Sequence, residues 1–241
     1  MAYDAFLNTV LYVSIAAFVV TLLSGLAALY LHDRKAEVFA FCAGALIGGA
    51  VIVLLPDAWQ LLEDSDTALD SDLVWLFCAV GFLSFYLLER GSLAKGSTRL
   101  AGLGGAIGLA THSFFDGVVI GQGFRAGEDI GVSLALAVLL HKLADGVSAV
   151  GVMLGTEHNV RETVGMLVIT AVAPIFGAIA QSFLVLPTSL LALLLSWFAG
   201  MFLYLAASRL LPEARRASSS MAVPALSLAG VGVAYLAHTL S

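Results

Sequence analysis

Apolar runs of about twenty residues, separated by short polar breaks, fill this sequence of 241 residues. A run of that length fits a helix that rises ~1.5 Å per residue through a bilayer core ~30 Å thick. Because hydrocarbon offers the backbone no hydrogen-bond partner, a chain can cross it only as helices or as a closed barrel. Barrel strands alternate polar and apolar residues, and these runs do not alternate. The sequence therefore predicts a bundle of transmembrane helices.

The composition also points to lipid as the main solvent. Hydrophobic residues make up 60% of the chain and charged residues only 12%, which is too little polar surface to cover a water-soluble globule. The basic residues form no stripe, so nucleic-acid binding is not expected. Two cysteines are too few for a disulfide framework or a cysteine-based zinc finger. The expected fold class is an all-α polytopic membrane protein.

The polar breaks divide the chain into eight predicted transmembrane helices within a single domain, residues 1–241. These helices lie near residues 5–31, 37–62, 73–89, 99–124, 130–155, 160–186, 188–209 and 221–240. Nine of the eleven basic residues fall in odd-numbered breaks, whereas the even breaks contain only Arg125 and Lys142 lies within a span. Because basic residues favour the cytoplasmic side, both termini are predicted to face outside.

Two segments of the sequence, residues 43–58 and 199–214, match without a gap at an offset of 156 residues. The predicted helices that contain them cross in opposite directions, and inverted repeats are typical of transporters. The first and last three helices would then form related halves around the fourth and fifth, a 3+2+3 arrangement. Asp57 and Glu213 follow the proline of each copy and are predicted gate or entrance residues at the outer and inner mouths. Alternatively, each proline–acid pair only ends an apolar helix at the water boundary.

The pattern H-x-x-x-D-G-V occurs twice, from His112 in the fourth predicted helix and from His141 in the fifth. Asp116 and Asp145 each follow four residues later, so each helix projects one imidazole and one carboxylate from the same face. Ionisable groups at this depth cost ~2.5–3.5 kcal/mol each and need a compensating partner. Two imidazoles and two carboxylates suit zinc in number and type, and other first-row metals fit nearly as well. Hydrogen-bonded helix pairs or a proton relay are the alternatives.

With these motifs the sequence resembles the ZIP (ZRT/IRT-like) family of zinc and iron transporters, of the prokaryotic type. The resemblance extends over nearly the whole chain: eight helices, paired H-x-x-x-E-type motifs on the fourth and fifth, and proline–acid ends on the second and seventh. It implies uptake of a divalent metal into the cytoplasm, with iron, cadmium and manganese as alternatives to zinc. It also implies a homodimer in a lipid bilayer, in a bacterial inner membrane, whose helix bundles move relative to each other. No cofactor is implied, since the Zn²⁺ is the transported substrate.

The sequence also departs from the family pattern. Asp116 and Asp145 replace the glutamates of the family motif, and Ser113 replaces a frequent asparagine. Many members hold a second metal with further acids, but Lys142 and Ala173 stand at those positions here. Because Lys142 precedes Asp145 by three residues, the two can pair on one helix face. We therefore expect a single-metal site in which the Lys142 ammonium replaces a second cation, with Ser113 and Lys142 tuning the site.

Two other functions could use the same ligands. An intramembrane zinc hydrolase would need an open coordination position and a general base. The sequence has no H-E-x-x-H motif and no unassigned acid near the cluster, and the inverted repeat favours carriage over an enzyme. A metal-gated channel or a metal sensor is the third alternative.

Overall fold

The computed structural model describes residues 2–31, 34–65, 69–94, 97–183 and 186–240. All regular secondary structure in these ranges is helical, which confirms the predicted all-α class. Seven helices are long and apolar enough to cross a membrane, and an eighth, near the C-terminus, is apolar but shorter. The eight helices are α1 (Ala2–Tyr30), α2 (Lys35–Glu63), α3 (Leu73–Ala94), α4 (Thr98–Ala126), α5 (Glu128–Leu154), α6 (Val160–Ala180), α7 (Thr188–Ala217) and α8 (Ala222–Leu240).

The largest differences from the predicted helix bounds lie at helix C-termini. α3 continues to Ala94, where the sequence predicted an end near residue 89, because Glu89 turns its charge toward α7 and not toward water. α7 continues to Ala217, past the predicted end near residue 209, because Pro212 occupies the first turn of a helical segment, where a missing N–H is tolerated. α6 ends at Ala180, before its predicted end near residue 186.

Polar side chains connect the start of α4, the end of α5 and the start of α6. The distribution of basic residues predicts that these ends lie on the cytoplasmic side. The Asn159 side chain accepts a hydrogen bond from the Glu162 N–H at 3.0 Å, and the Glu162 carboxylate accepts one from the Asn159 N–H at 3.1 Å. This reciprocal capping box starts α6. Arg99 of α4 donates to the Glu157 carbonyl at 3.0 Å and also binds the Glu162 carboxylate. The start of α4 is thereby joined to the α5–α6 connection.

The helices form two groups of four. The first group consists of α1, α4, α5 and α6, and the second of α2, α3, α7 and α8. Contacts within each group are more extensive than those between the groups, which meet mainly where α2 and α8 pack on α5 and where α3 packs on α4. The motif helices α4 and α5 thus belong to one group and face the other.

The main helix contacts repeat when α1 is exchanged with α6, α2 with α7, α3 with α8, and α4 with α5. The α2–α8 contact then becomes the α7–α3 contact, and α1–α5 becomes α6–α4. Two glycines at the same position of the sequence repeat make equivalent contacts in the two halves. A Cβ on Gly44 would collide with the Ser227 carbonyl of α8, and one on Gly200 with the Cys78 carbonyl of α3. This pattern agrees with the inverted repeat seen in the sequence.

Both copies of the repeat contain a π-helical segment just before the proline–acid pair. It spans Gly49–Leu54 in α2 and Ala206–Leu210 in α7. Proline cannot donate to the carbonyl four residues earlier, and its ring crowds that carbonyl. A wider turn before Pro56 and Pro212 relieves this crowding. π-Helical turns are frequent at functional sites, and the segment in α2 borders the motif residues of α5.

Candidate metal site

The glycine of each motif sets how closely its helix packs within the first group. A Cβ on Gly117 would collide with the Pro174 carbonyl of α6, and one on Gly146 with the Thr21 carbonyl of α1. Only a residue without a side chain permits either contact. α4 and α5 are therefore held by their glycine faces against α6 and α1, and their His–Asp faces meet each other.

The four predicted ligands come together between α4 and α5. One ligand atom from each of His112, Asp116, His141 and Asp145 lies within 4.8 Å of the others. The shared point of contact is Asp116 Oδ2, which is 3.5 Å from His112 Nε2 and 3.4 Å from His141 Nε2. All four are buried except His141, whose side chain is 14% exposed. The cluster is compact enough for four side chains to share one ion.

Lys142 lies inside the cluster and is fully buried. Its ammonium donates hydrogen bonds to the carboxylates of Asp116 and Asp145, and to Ser113 Oγ at 2.9 Å. Lys142 and Ser113 hold the same position in the two motifs, directly after the histidine. A buried charge is tolerated when it is paired and hydrogen-bonded. The pairing predicted between Lys142 and Asp145 is present, and the same ammonium also reaches Asp116.

His112 faces the second helix group. Its ring contacts Phe198 and Phe202 of α7 edge-on, with centroid distances of 5.2 and 4.8 Å. Within the described part of the chain, neither ring nitrogen of His112 has a hydrogen-bond partner. An unsatisfied buried polar atom costs ~1–3 kcal/mol, and a metal ion bound at one nitrogen would remove that cost there. The donor set and an imidazole without a hydrogen bond therefore fit a cationic ligand.

A small cavity of about 20 Å³ lies between the cluster and α2. This volume holds about one water molecule. His112, His141 and Asp145 reach it from the first group. The opposite wall is apolar and includes part of the π-helical segment of α2; its residues are Ala45, Leu46, Gly49, Val53 and Leu54.

The structure does not bring the two predicted gate residues into the cluster. Asp57 is half-buried on α2, near enough to His238 of α8 and to His141 for their charges to influence it. Glu213, at the other end of the molecule, pairs with Arg216 at 2.8 Å on the surface of α7. Asp57 thus lies outside the cluster of four ligands, and Glu213 pairs within its own helix.

A second, partly buried charge network was not predicted. Glu89 of α3 pairs with Arg209 of α7 at 3.2 Å and accepts a hydrogen bond from the Tyr204 hydroxyl. Arg209 belongs to the π-helical segment of α7. The network joins α3 to α7 within the second group. In the sequence, Glu89 and Arg209 are charged residues at the predicted ends of two helices, and nothing indicates that they pair.

Comparisons with known proteins agree with the features of this site. The ZIP Zinc transporter family model matches residues 90–237. Zinc transporter ZIP13 of Pongo abelii is 23% identical over 189 residues, which are 73% of this chain and 58% of the relative. The uncharacterized zinc transporter P8A3.03 of Schizosaccharomyces pombe is 31% identical over 113 residues, 42% of this chain and 25% of the relative. Zinc transporter SLC39A7 of Homo sapiens is 29% identical over 122 residues, 46% of this chain and 25% of the relative.

The chain spans 58% of the length of the first of these relatives and 25% of the other two. The family match covers more than half of the 241 residues and contains both H-x-x-x-D-G-V motifs. The chain therefore belongs to the ZIP zinc transporter family.

Proposed function

We propose that this protein carries a divalent transition metal ion, zinc foremost, across a membrane into the cytoplasm. His112, Asp116, His141 and Asp145 are the proposed ligands. The observation that carries the proposal is the convergence of these four side chains, within 4.8 Å of one another, in the middle of two apolar helices. Membership in the ZIP zinc transporter family supports the same activity.

Zinc suits the donor set in number and type. Two imidazole nitrogens and two carboxylate oxygens can complete a four-coordinate zinc site, and the carboxylates offset the charge of the ion. Iron, cadmium and manganese accept the same ligand types and remain alternative substrates. The metal is the transported substrate, and the proposal includes no cofactor.

We propose one metal per protomer, because Lys142 occupies the place where a second cation would lie. Its ammonium already binds both carboxylates of the cluster, and Ser113 holds it from α4. An entering metal would take over part of that pairing. Ser113 and Lys142 are therefore proposed to tune how strongly the carboxylates bind the metal. Two tightly bound metals per protomer, counted by mass spectrometry, would contradict the assignment.

The proposed transporter is a single domain over residues 1–241, with inverted repeats in a 3+2+3 arrangement. Exchange of the metal site between the two sides would follow from movement of the first helix group against the second, since contacts between the groups are the less extensive ones. Asp57 and Glu213 are proposed to line the outer and inner mouths. Both termini would face outside, in a homodimer embedded in the lipid bilayer of a bacterial plasma membrane.

The alternative of an intramembrane zinc hydrolase receives no support from the comparisons. The family match and the three relatives are all described as zinc transporters. Both carboxylates of the cluster already bind Lys142, so neither acid of the cluster is left over for a general base among the described residues. Carriage is therefore preferred to catalysis.

Uptake of radioactive zinc, cadmium and iron into liposomes tests the proposal. Purified wild-type protein is compared with a His112→Ala, Asp145→Ala double variant. The matched control is a His158→Ala, Glu37→Ala double variant, which also removes one imidazole and one carboxylate but leaves the cluster intact. Saturable uptake is expected for the wild type and the control, and loss of at least about tenfold for the cluster variant. A folded wild type that takes up none of the metals would overturn the proposal.

A further inference from the structure

The side of the cluster that faces α7 is closed by aromatic rings. Phe198 and Phe202 are 1% and 4% exposed, and both contact the ring of His112 edge-on. Phe115 of α4 in turn packs against Phe198, with ring centroids 5.8 Å apart. These rings offer no oxygen or nitrogen that could bind a metal or hold a water molecule. Water therefore cannot reach the metal position from this direction.

The side of the cluster that faces α2 has very little space. The cavity there has a volume of about 20 Å³, room for about one water molecule. Its polar lining comes from His112, His141 and Asp145, which are themselves proposed ligands. The α2 side of the cavity, including Leu46 and Val53, is apolar and does not hold further water.

From the α7 and α2 sides, an ion bound at this position could thus gain at most about one water in addition to its four protein ligands. Zinc is stable with four ligands and expands to five. Manganese prefers octahedral, oxygen-rich coordination, and magnesium likewise keeps several of its waters. The lack of space on these two sides would force such ions to lose water ligands that the site does not replace.

We infer that Phe198 and Phe202 determine metal specificity by limiting the coordination number of the bound ion. The inference rests on the proposed transport function and adds a selection rule to it. Ions that are stable with four or five ligands pass, and ions that require six are rejected. The two rings act through the space that they occupy, and they also hold the imidazole of His112 in its orientation toward the ion.

Competition between zinc and manganese tests this inference. Phe202→Ala removes the ring closest to His112 and opens space for water beside the ion. The expected result is that the preference for zinc over manganese, measured as the ratio of kcat/KM for uptake, falls about tenfold. Phe85→Ala is the matched control, because Phe85 is a buried phenylalanine that packs on Trp197 and not on His112. Phe202→Leu retains most of the packing and should give a smaller fall in the same direction.

The coordination number provides a readout that loss of stability alone would not change. X-ray absorption at the zinc edge should show four to five ligands in the wild type, and one more oxygen ligand in the Phe202→Ala variant. Six ligands in the wild type would overturn the inference whether or not the variants fold. An unchanged zinc-to-manganese ratio in folded Phe202→Ala, or an equal change in Phe85→Ala, would also overturn it. If the wild type takes up zinc, either result leaves the proposed function standing, whereas a folded wild type that takes up none of zinc, cadmium, iron and manganese defeats both.

Discussion

Replacing Lys142 with methionine should make the stability of the protein depend on metal. Methionine has a similar volume and keeps the apolar packing, but it removes the ammonium that binds Asp116 and Asp145. Two buried carboxylates are then left side by side without a cation. Removal of one partner from a buried ion pair costs about 3–5 kcal/mol. For a protein of this length, 1 kcal/mol lowers Tm by about 2–4 °C, so the metal-free variant should melt about 6–20 °C below the wild type.

Zinc should reverse most of this loss. With neutral imidazoles, the two carboxylates give the empty site of the Lys142→Met variant a net charge of −2, and one zinc ion brings it to zero. In the wild type the ammonium already offsets one of these charges. Because a ligand stabilises the folded state in proportion to its binding free energy, the increase in Tm caused by zinc should be larger in the variant.

The measurement is thermal unfolding in detergent, followed by tryptophan fluorescence, with a chelator and with excess zinc. Arg209→Met is the control, because it removes a partly buried cation, the partner of Glu89, at a distance from the cluster. It should lower Tm, and zinc should not restore it. If Lys142→Met with chelator melts within about 2 °C of the wild type, the assignment of Lys142 as the internal counter-ion is wrong. An equal zinc effect in both proteins would lead to the same conclusion.

Two further predictions concern packing and capping. Gly44→Ala and Gly200→Ala each place a methyl group against a carbonyl of the neighbouring helix, which should lower the free energy of unfolding by about 1–3 kcal/mol in thermal melts. Gly232→Ala, which has open space around it, should be neutral or slightly stabilising. Similar melting temperatures for all three variants would contradict the close helix contacts. Asn159→Ala removes the side chain that caps α6 by accepting a hydrogen bond from the Glu162 N–H. The variant should lose about 1 kcal/mol of stability and retain metal uptake. A loss of uptake in the folded variant would show that the cap has another role.

The helices and the candidate site were largely predictable from the sequence, for related physical reasons. A bilayer fixes the length of an apolar run, so eight runs predict the all-α class without any tertiary information. The spacing of His112 and Asp116, repeated by His141 and Asp145, fixes a common helix face in the same local way. The apolar runs and the local helix geometry therefore predict that the four side chains lie within the membrane, with the histidine and aspartate of each motif on one helix face. That they bind a metal stays a prediction.

Features that depend on which helix packs against which were not predictable. Phe198 and Phe202 are two of many apolar residues in α7, and only the packing of α7 on α4 shows that they enclose His112. The π-helical segments gave no signal beyond the prolines that follow them. Glu89 and Arg209 looked like charges at helix ends until the α3–α7 contact placed them together. Sequence periodicity describes one helix at a time, and these features each involve two helices or a change of helix type.

The pairing of one ammonium with two carboxylates has an electrical consequence for the proposed carrier. With neutral imidazoles, Lys142, Asp116 and Asp145 give the empty site a net charge of −1, and a divalent ion changes it to +1. Across a membrane that is negative inside, voltage then drives both the inward movement of the loaded site and the outward return of the empty one. Each elementary charge that crosses the full field contributes ~2.3 kcal/mol per 100 mV. Without the ammonium the two charges would be 0 and −2, and the whole electrical force would act on the return step. In the proposed carrier, Lys142 would thus divide the membrane potential evenly between the two halves of the cycle.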